Sequence, residues 1–174
     1  MNPTRRWLFA GVGTLAALGG AGVALWRMQP QVVPDTAAQT FWQVSLNDPQ
    51  GTPISMRSFQ GRPLLLNFWA TWCPPCLQEL PLLNRFYTQH RARGWQVIGL
   101  AIDQPSSVRQ FLARQPLDFP TVLGGLAGTD MVRALGNDAG GLPFSVLFSA
   151  NGDILVRKMG QLAESDLQAW GAML

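Results

Sequence analysis

Leu64-Leu65-Leu66-Asn67-Phe68-Trp69-Ala70-Thr71-Trp72-Cys73-Pro74-Pro75-Cys76 is the stretch on which the reading of this 174-residue chain turns. Its first six residues are a nearly continuous apolar run, the pattern of a strand buried on both faces of a sheet. Beyond the cysteines, Cys76, Leu80, Leu83, Tyr87 and His90 recur at helical spacing. Gln78, Asn84, Arg85 and Arg91 lie elsewhere around the turn, and Gly94 stops the segment after Arg91 and Arg93. Trp95 to Ile102 then supplies a second buried strand. Strand, amphipathic helix and strand make a βαβ unit, so the sheet has a parallel centre and the class is α/β.

Further along the chain, a helix follows Pro105, with Val108, Phe111 and Leu112 on one face. A short strand is expected within Pro120–Leu123 and a short helix over Thr129–Leu135. Pro143–Phe148 and Ile154–Val156 flank Ala150-Asn151-Gly152-Asp153, and an Asn-Gly pair between apolar runs signals a hairpin. Glu164–Leu174 carries the stripe Leu167, Trp170, Leu174 of a closing helix. Upstream, Trp42, Val44 and Leu46 alternate with Gln43 and Ser45, and Asn47-Asp48-Pro49-Gln50-Gly51 turns the chain toward Ile54, an opening hairpin. The expected fold is a central mixed sheet flanked by helices, with an N-terminal hairpin extension.

The apolar segment from Trp7 to Trp26 has Thr14 as its one polar residue, and its length of 20 residues suits a hydrocarbon core of about 30 Å. Arg5 and Arg6 precede it as a cytoplasmic anchor would, which points the rest of the chain outward. Residues 1–27 are therefore expected to form a signal-anchor with one transmembrane helix, 28–39 an extended linker containing Pro30 and Pro34, and 40–174 the folded domain. A cleaved secretory signal, or a twin-arginine signal at Arg5-Arg6, is the alternative, and either exports the domain.

Leaving out Arg5, Arg6 and Arg27 removes three of the 13 basic residues and leaves ten against ten acidic ones, so the domain is neutral. No basic stripe interleaved with aromatics remains, which argues against a nucleic-acid partner.

The chain has two cysteines, three residues apart, after a buried strand and at the opening of a helix. One helical turn brings them within the span a disulfide permits. The helix N-terminus favours thiolate at Cys73, the expected attacking sulfur, while the deeper Cys76 resolves the mixed disulfide. Pro75 suits the first helical turn and Pro74 stiffens the loop. A structural disulfide closing so short a loop gains little chain entropy, and zinc lacks ligands with one histidine and no second cysteine pair. The cycle needs no cofactor.

From Asn67 to Cys76 the sequence resembles the active-site stretch of the thioredoxin superfamily, specifically its TlpA/ResA-like branch of membrane-anchored extracytoplasmic thiol–disulfide oxidoreductases. The resemblance runs from about Phe41 to the C-terminus. Glu79-Leu80-Pro81 is similar to the Glu-x-Pro of that branch, and Gly141-Leu142-Pro143-Phe144-Ser145 to its cis-proline loop. The resemblance implies a cis Leu142–Pro143 peptide facing the disulfide and a Leu142 backbone able to pair with a substrate strand. It also implies a Glu79 carboxyl that tunes the thiols, the bland reading being a solvated first-turn glutamate. Asn67 stands where thioredoxins proper carry a buried aspartate; an amide cannot be the base, so acid–base work shifts to Glu79 or water. Trp72 is expected to cover the disulfide and Pro81 to bend the helix, while His90 is a helix-end residue without chemistry.

The implied activity is reduction of extracytoplasmic protein disulfides, as in cytochrome c or copper-site maturation, by a monomer in the bacterial periplasm fed by a membrane electron-donor protein. A tethered binding module with a permanently closed cysteine pair is the non-enzymatic alternative. A disulfide-introducing oxidase is weakened by the 67-position interval from Cys76 to Pro143, which leaves no room for a large helical insertion. A peroxiredoxin is weakened by Ala70, which stands where its threonine would be.

Overall fold

A seven-stranded mixed sheet, with strands in the spatial order Pro53–Ser55, Ser45–Asn47, Thr121–Leu123, Gln96–Ala101, Leu64–Trp69, Phe144–Phe148 and Ile154–Met159, organises the protein. The structure is a computed structural model that describes residues 36–125 and 127–173. The chain runs α1 (Thr36–Gln43), β1 (Ser45–Asn47), β2 (Pro53–Ser55), a 3-10 turn at Met56–Phe59, β3 (Leu64–Trp69) and α2 (Pro74–His90). It continues through β4 (Gln96–Ala101), α3 (Pro105–Arg114), β5 (Thr121–Leu123), α4 (Ala127–Ala134), β6 (Phe144–Phe148), β7 (Ile154–Met159) and α5 (Glu164–Gly171). β3 pairs parallel with β4, as the βαβ unit predicts, and antiparallel with β6, while β6 and β7 form the antiparallel hairpin that the Asn-Gly turn predicts.

Every residue of β3 and β4 is buried. Alternation along β3 sorts its side chains between two cores. Leu65 and Trp69 pack with residues of α2, α3 and α5, whereas Leu64, Leu66 and Phe68 pack with α1 and α4. Asn67 thus points to the α2 side, into apolar surroundings, with consequences for the site below.

One N-terminal expectation is corrected. The linker was expected to extend to residue 39 and a strand to begin at Trp42, but Thr36–Gln43 is helical and the first strand is three residues long. Adjacent Phe41 and Trp42 are both buried, which a one-sided strand does not allow and a helix with Ala38 on the same stripe does. Phe41 stacks on Phe148, and the Trp42 Nε1–H donates to the Gly152 carbonyl at 2.8 Å. The Trp42/Val44/Leu46 alternation straddles a helix–strand junction. The opening hairpin itself forms, with Leu46 opposite Ile54. The membrane-spanning expectation for residues 7–26 lies outside the described residues.

Gly99 on β4 is required by packing. A Cβ there would meet Trp69 Nε1 at 2.9 Å and the Phe119 ring at 3.1 Å. Gly99→Ala is expected to destabilise the protein by about 1–3 kcal/mol, as overpacked cores do. The measurement is a urea midpoint that falls while the m-value holds.

Candidate active site

The C-terminal end of β3 and the N-terminal end of β6 meet at one end of the sheet, because Phe68 lies opposite Phe144 in the antiparallel pair. From β3 the chain makes one turn, closed by the Cys73 N–H donating to the Ala70 carbonyl, and enters α2. Cys73 is the residue that caps α2, with Pro74 and Pro75 as its first two helical residues. Cys73 and Cys76 are joined as a disulfide, their Cα atoms 5.3 Å apart. Two prolines at these positions remove two of the first-turn N–H donors. Their absence subtracts from the support that the helix start gives a Cys73 thiolate.

Cys73 retains 4% of its exposure and Cys76 none, so the order of access matches the expectation, although in the disulfide form Cys73 is less open than foreseen. The exposed rim is formed by Pro74 and, above all, Trp72, which is 66% exposed. Trp72 is therefore no buried aromatic. It stands beside a 370 Å³ hollow shared with Ile102 and Pro105, because Thr71 before it is tied down by Asp103, whose carboxylate accepts from the Thr71 N–H at 2.9 Å and hydroxyl at 2.5 Å.

Glu79, one turn after Cys76 on the same face of α2, is fully buried and so is not a solvated glutamate. Asn67 Nδ2 donates to its Oε1 at 2.7 Å, and the Leu162 N–H donates to its Oε2 at 2.6 Å. Burial pushes the carboxyl up to about 7 from an ordinary 4.5, the two hydrogen bonds and the Lys158 charge opposing this only in part. Lys158 itself is paired with Asp166 at 2.6 Å.

Asn67 also donates to the Ser145 hydroxyl at 3.0 Å, and Ser145 is its register partner on β6. Ser145 and the Leu162 backbone are members of this buried network that sequence reasoning missed. The antiparallel register that sets Ser145 against Asn67 has no local signature.

Leu142–Pro143 is a cis peptide. Leu142 is partly buried against the cluster containing both cysteines, and the Pro143 carbonyl accepts from the Gly160 N–H at 2.9 Å. Among the described residues no hydrogen-bond partner meets the Leu142 N–H or carbonyl. Pro81 lies inside a helix that continues to His90, whose Nδ1 is 2.9 Å from the Phe86 carbonyl and whose ring stacks on Phe86.

The family pattern described as Redoxin matches residues 32–170. The thiol-disulfide oxidoreductase ResA of Bacillus cereus is 29% identical over 126 residues, covering 72% of this chain and 70% of that one. Its namesake in Halalkalibacterium halodurans is 32% identical over 120 residues, covering 68% and 66%. Among solved structures, a putative thiol:disulfide interchange protein DsbE from Chlorobium tepidum aligns with a TM-score of 0.64 at 28% identity, over 74% of this chain and 88% of that one. The chain belongs to the Redoxin family and is a thiol–disulfide oxidoreductase of thioredoxin-like fold, with Cys73–Cys76 as its exchanging disulfide.

Proposed function

We propose that the chain is a reductant of protein disulfides outside the cytoplasm, tethered through residues 7–26 and recharged by a membrane electron donor. It acts as a monomer and needs no group beyond its own cysteine pair. The candidate substrates are disulfides that block haem-binding cysteines of apocytochrome c or cysteines of copper sites.

The observation that carries the direction of transfer is the buried Glu79 carboxyl one turn below Cys76. A strong oxidant is made by stabilising the reduced form through a favoured thiolate. Here a carboxyl that titrates near neutrality lies under the pair, and Pro74 and Pro75 withhold two first-turn donors, so the thiolate is disfavoured and the dithiol gives up its electrons readily.

In the cycle, the Cys73 thiolate attacks one sulfur of the substrate disulfide, the other leaves as a thiolate and takes a proton, and Cys73 is joined to the substrate. Cys76, losing its proton to the Glu79 carboxylate, attacks Cys73; the second substrate thiol is released and Cys73–Cys76 closes. Two electrons pass to the substrate in each round. Trp72 serves the substrate as an apolar contact, and the Leu142 backbone as the edge to which an extended substrate segment pairs.

A redox titration of the full chain against dithiothreitol tests the direction. A midpoint near the roughly −270 mV of thioredoxin is expected, and one near the roughly −120 mV of strong oxidants would overturn it.

A further inference from the structure

We infer that Asn137 is the positioning residue that holds the Leu142 backbone ready for the substrate, an inference that rests on the proposed pairing of a substrate strand with Leu142. Asn137 is fully buried although its neighbours Gly136 and Asp138 are exposed. It follows α4, where Gly136 at φ +102° ends the helix and the Asn137 N–H donates to the Val132 carbonyl at 3.1 Å. That pattern is the glycine-dependent helix stop, and it aims the Asn137 side chain back under the loop that follows.

The amide then spans the loop. Its Nδ2 donates to the Gly141 carbonyl at 2.8 Å, and its Oδ1 accepts from the Gly140 N–H at 3.1 Å. The Asn137 carbonyl accepts from the same Gly140 N–H at 2.9 Å. Two consecutive glycines would otherwise leave this stretch with more backbone freedom than any other residue pair. One buried side chain thus holds the Ala139–Gly140 and Gly141–Leu142 peptide groups, and the Gly160 N–H holds the Pro143 carbonyl after them. Between these anchors the Leu142 N–H and carbonyl have no partner among the described residues.

A loop ordered in advance spares the substrate the entropy of ordering it, which is worth affinity and orientation without any contact between Asn137 and the substrate. The nucleophile is untouched by this device, so the effect must separate substrates with a peptide backbone from those without one.

The test uses the reduced full chain and two disulfides with the same leaving group. One is a ten-residue peptide whose single cysteine is joined to 2-nitro-5-thiobenzoate; the other is 5,5′-dithiobis(2-nitrobenzoate), which has no peptide backbone. In both, Cys73 attacks and nitrothiobenzoate leaves, so its absorbance reports the rate. In Asn137→Ala the ratio of the peptide rate constant to the aromatic one is expected to fall about tenfold, the equivalent of one ordinary hydrogen bond.

Asn137→Asp keeps the shape and the acceptor for Gly140 but loses the donor to Gly141 when ionised. Its ratio is expected to be low at alkaline pH and to recover toward the parent value as the carboxyl gains a proton it can donate. This isosteric variant decides the matter should the alanine variant not fold. Ratios that stay at the parent value at every pH, or equal losses on both probes, overturn the assignment. A third probe, the peptide N-methylated beside its cysteine, separates the two layers. If methylation leaves the unsubstituted chain's rate unchanged, the Leu142 pairing fails; if it slows that rate while the Asn137 variants keep the parent ratio, only the role of Asn137 fails.

Discussion

Cys76→Ser is expected to leave the full chain covalently attached to its substrates through Cys73, with turnover lowered by roughly 10³-fold or more, because an intramolecular thiol outcompetes millimolar external thiols by orders of magnitude. Cys73 retains 4% exposure and Cys76 none, so an incoming disulfide meets Cys73 first. Cys76 is one helical turn away and needs no diffusion to find the mixed disulfide. With a hydroxyl in its place the attack still happens and the release does not. Cys73→Ser should abolish exchange and trap nothing, since the remaining sulfur is enclosed. Non-reducing electrophoresis of both variants, followed by mass spectrometry of the adducts, checks this. Adducts on Cys73→Ser and none on Cys76→Ser would reverse the two roles.

The second large effect concerns Glu79 and the pH dependence of stability. Its folded carboxyl titrates near 7 against an ordinary 4.5. Between those values the folded chain holds a proton that the unfolded chain has released. Stability is therefore highest below about pH 4.5 as far as this group is concerned, and it declines as pH rises toward 7 and levels off above. The whole swing amounts to about 3 kcal/mol as an order of magnitude. Asp48 and Asp166 are both held below the ordinary 3.8 by hydrogen bonds, chiefly from the Thr52 N–H and the Lys158 ammonium respectively. Their contributions have the opposite sign and are lost only at more acidic pH, outside this window.

Glu79→Gln should flatten the slope between pH 4.5 and 7 and make the variant the more stable protein at pH 8. The introduced amide needs an acceptor where the carboxylate had none, and Asn67 can supply one. Its Oδ1 is buried with no partner among the described residues, and turning the Asn67 side chain over would present that oxygen to the new N–H donors. Urea denaturation of oxidised parent and variant across this range measures the difference, and parallel stability profiles would remove Glu79 from the account. The same substitution should also raise the midpoint potential, since no carboxylate then opposes the thiolate.

Much of this molecule could be read without coordinates because its signals are local. The uninterrupted Leu64–Trp69 run, the helical spacing from Cys76 to His90 and the Asn151-Gly152 turn each constrain a few successive residues, and each formed where expected. The cysteine pair is of the same kind, since one helical turn brings positions 73 and 76 together wherever the helix lies. At the N-terminus the local pattern misleads. Trp42, Val44 and Leu46 fit a period of two, but the burial of Phe41 beside Trp42 depends on Phe148, more than a hundred residues away.

Propensity and spacing act over one or two turns, and they were enough to identify the nucleophile, its partner and the helix that presents them. What surrounds the pair is a matter of long-range packing. Whether Glu79 is solvated or enclosed depends on Leu162 and Asn67 arriving from other parts of the chain, and burial is a property of everything packed around a group. The same holds for Trp72, left outside at 66% exposure, for Ser145, set against Asn67 by strand register, and for Asn137, whose amide acquires its role from the path of the glycine loop beside it.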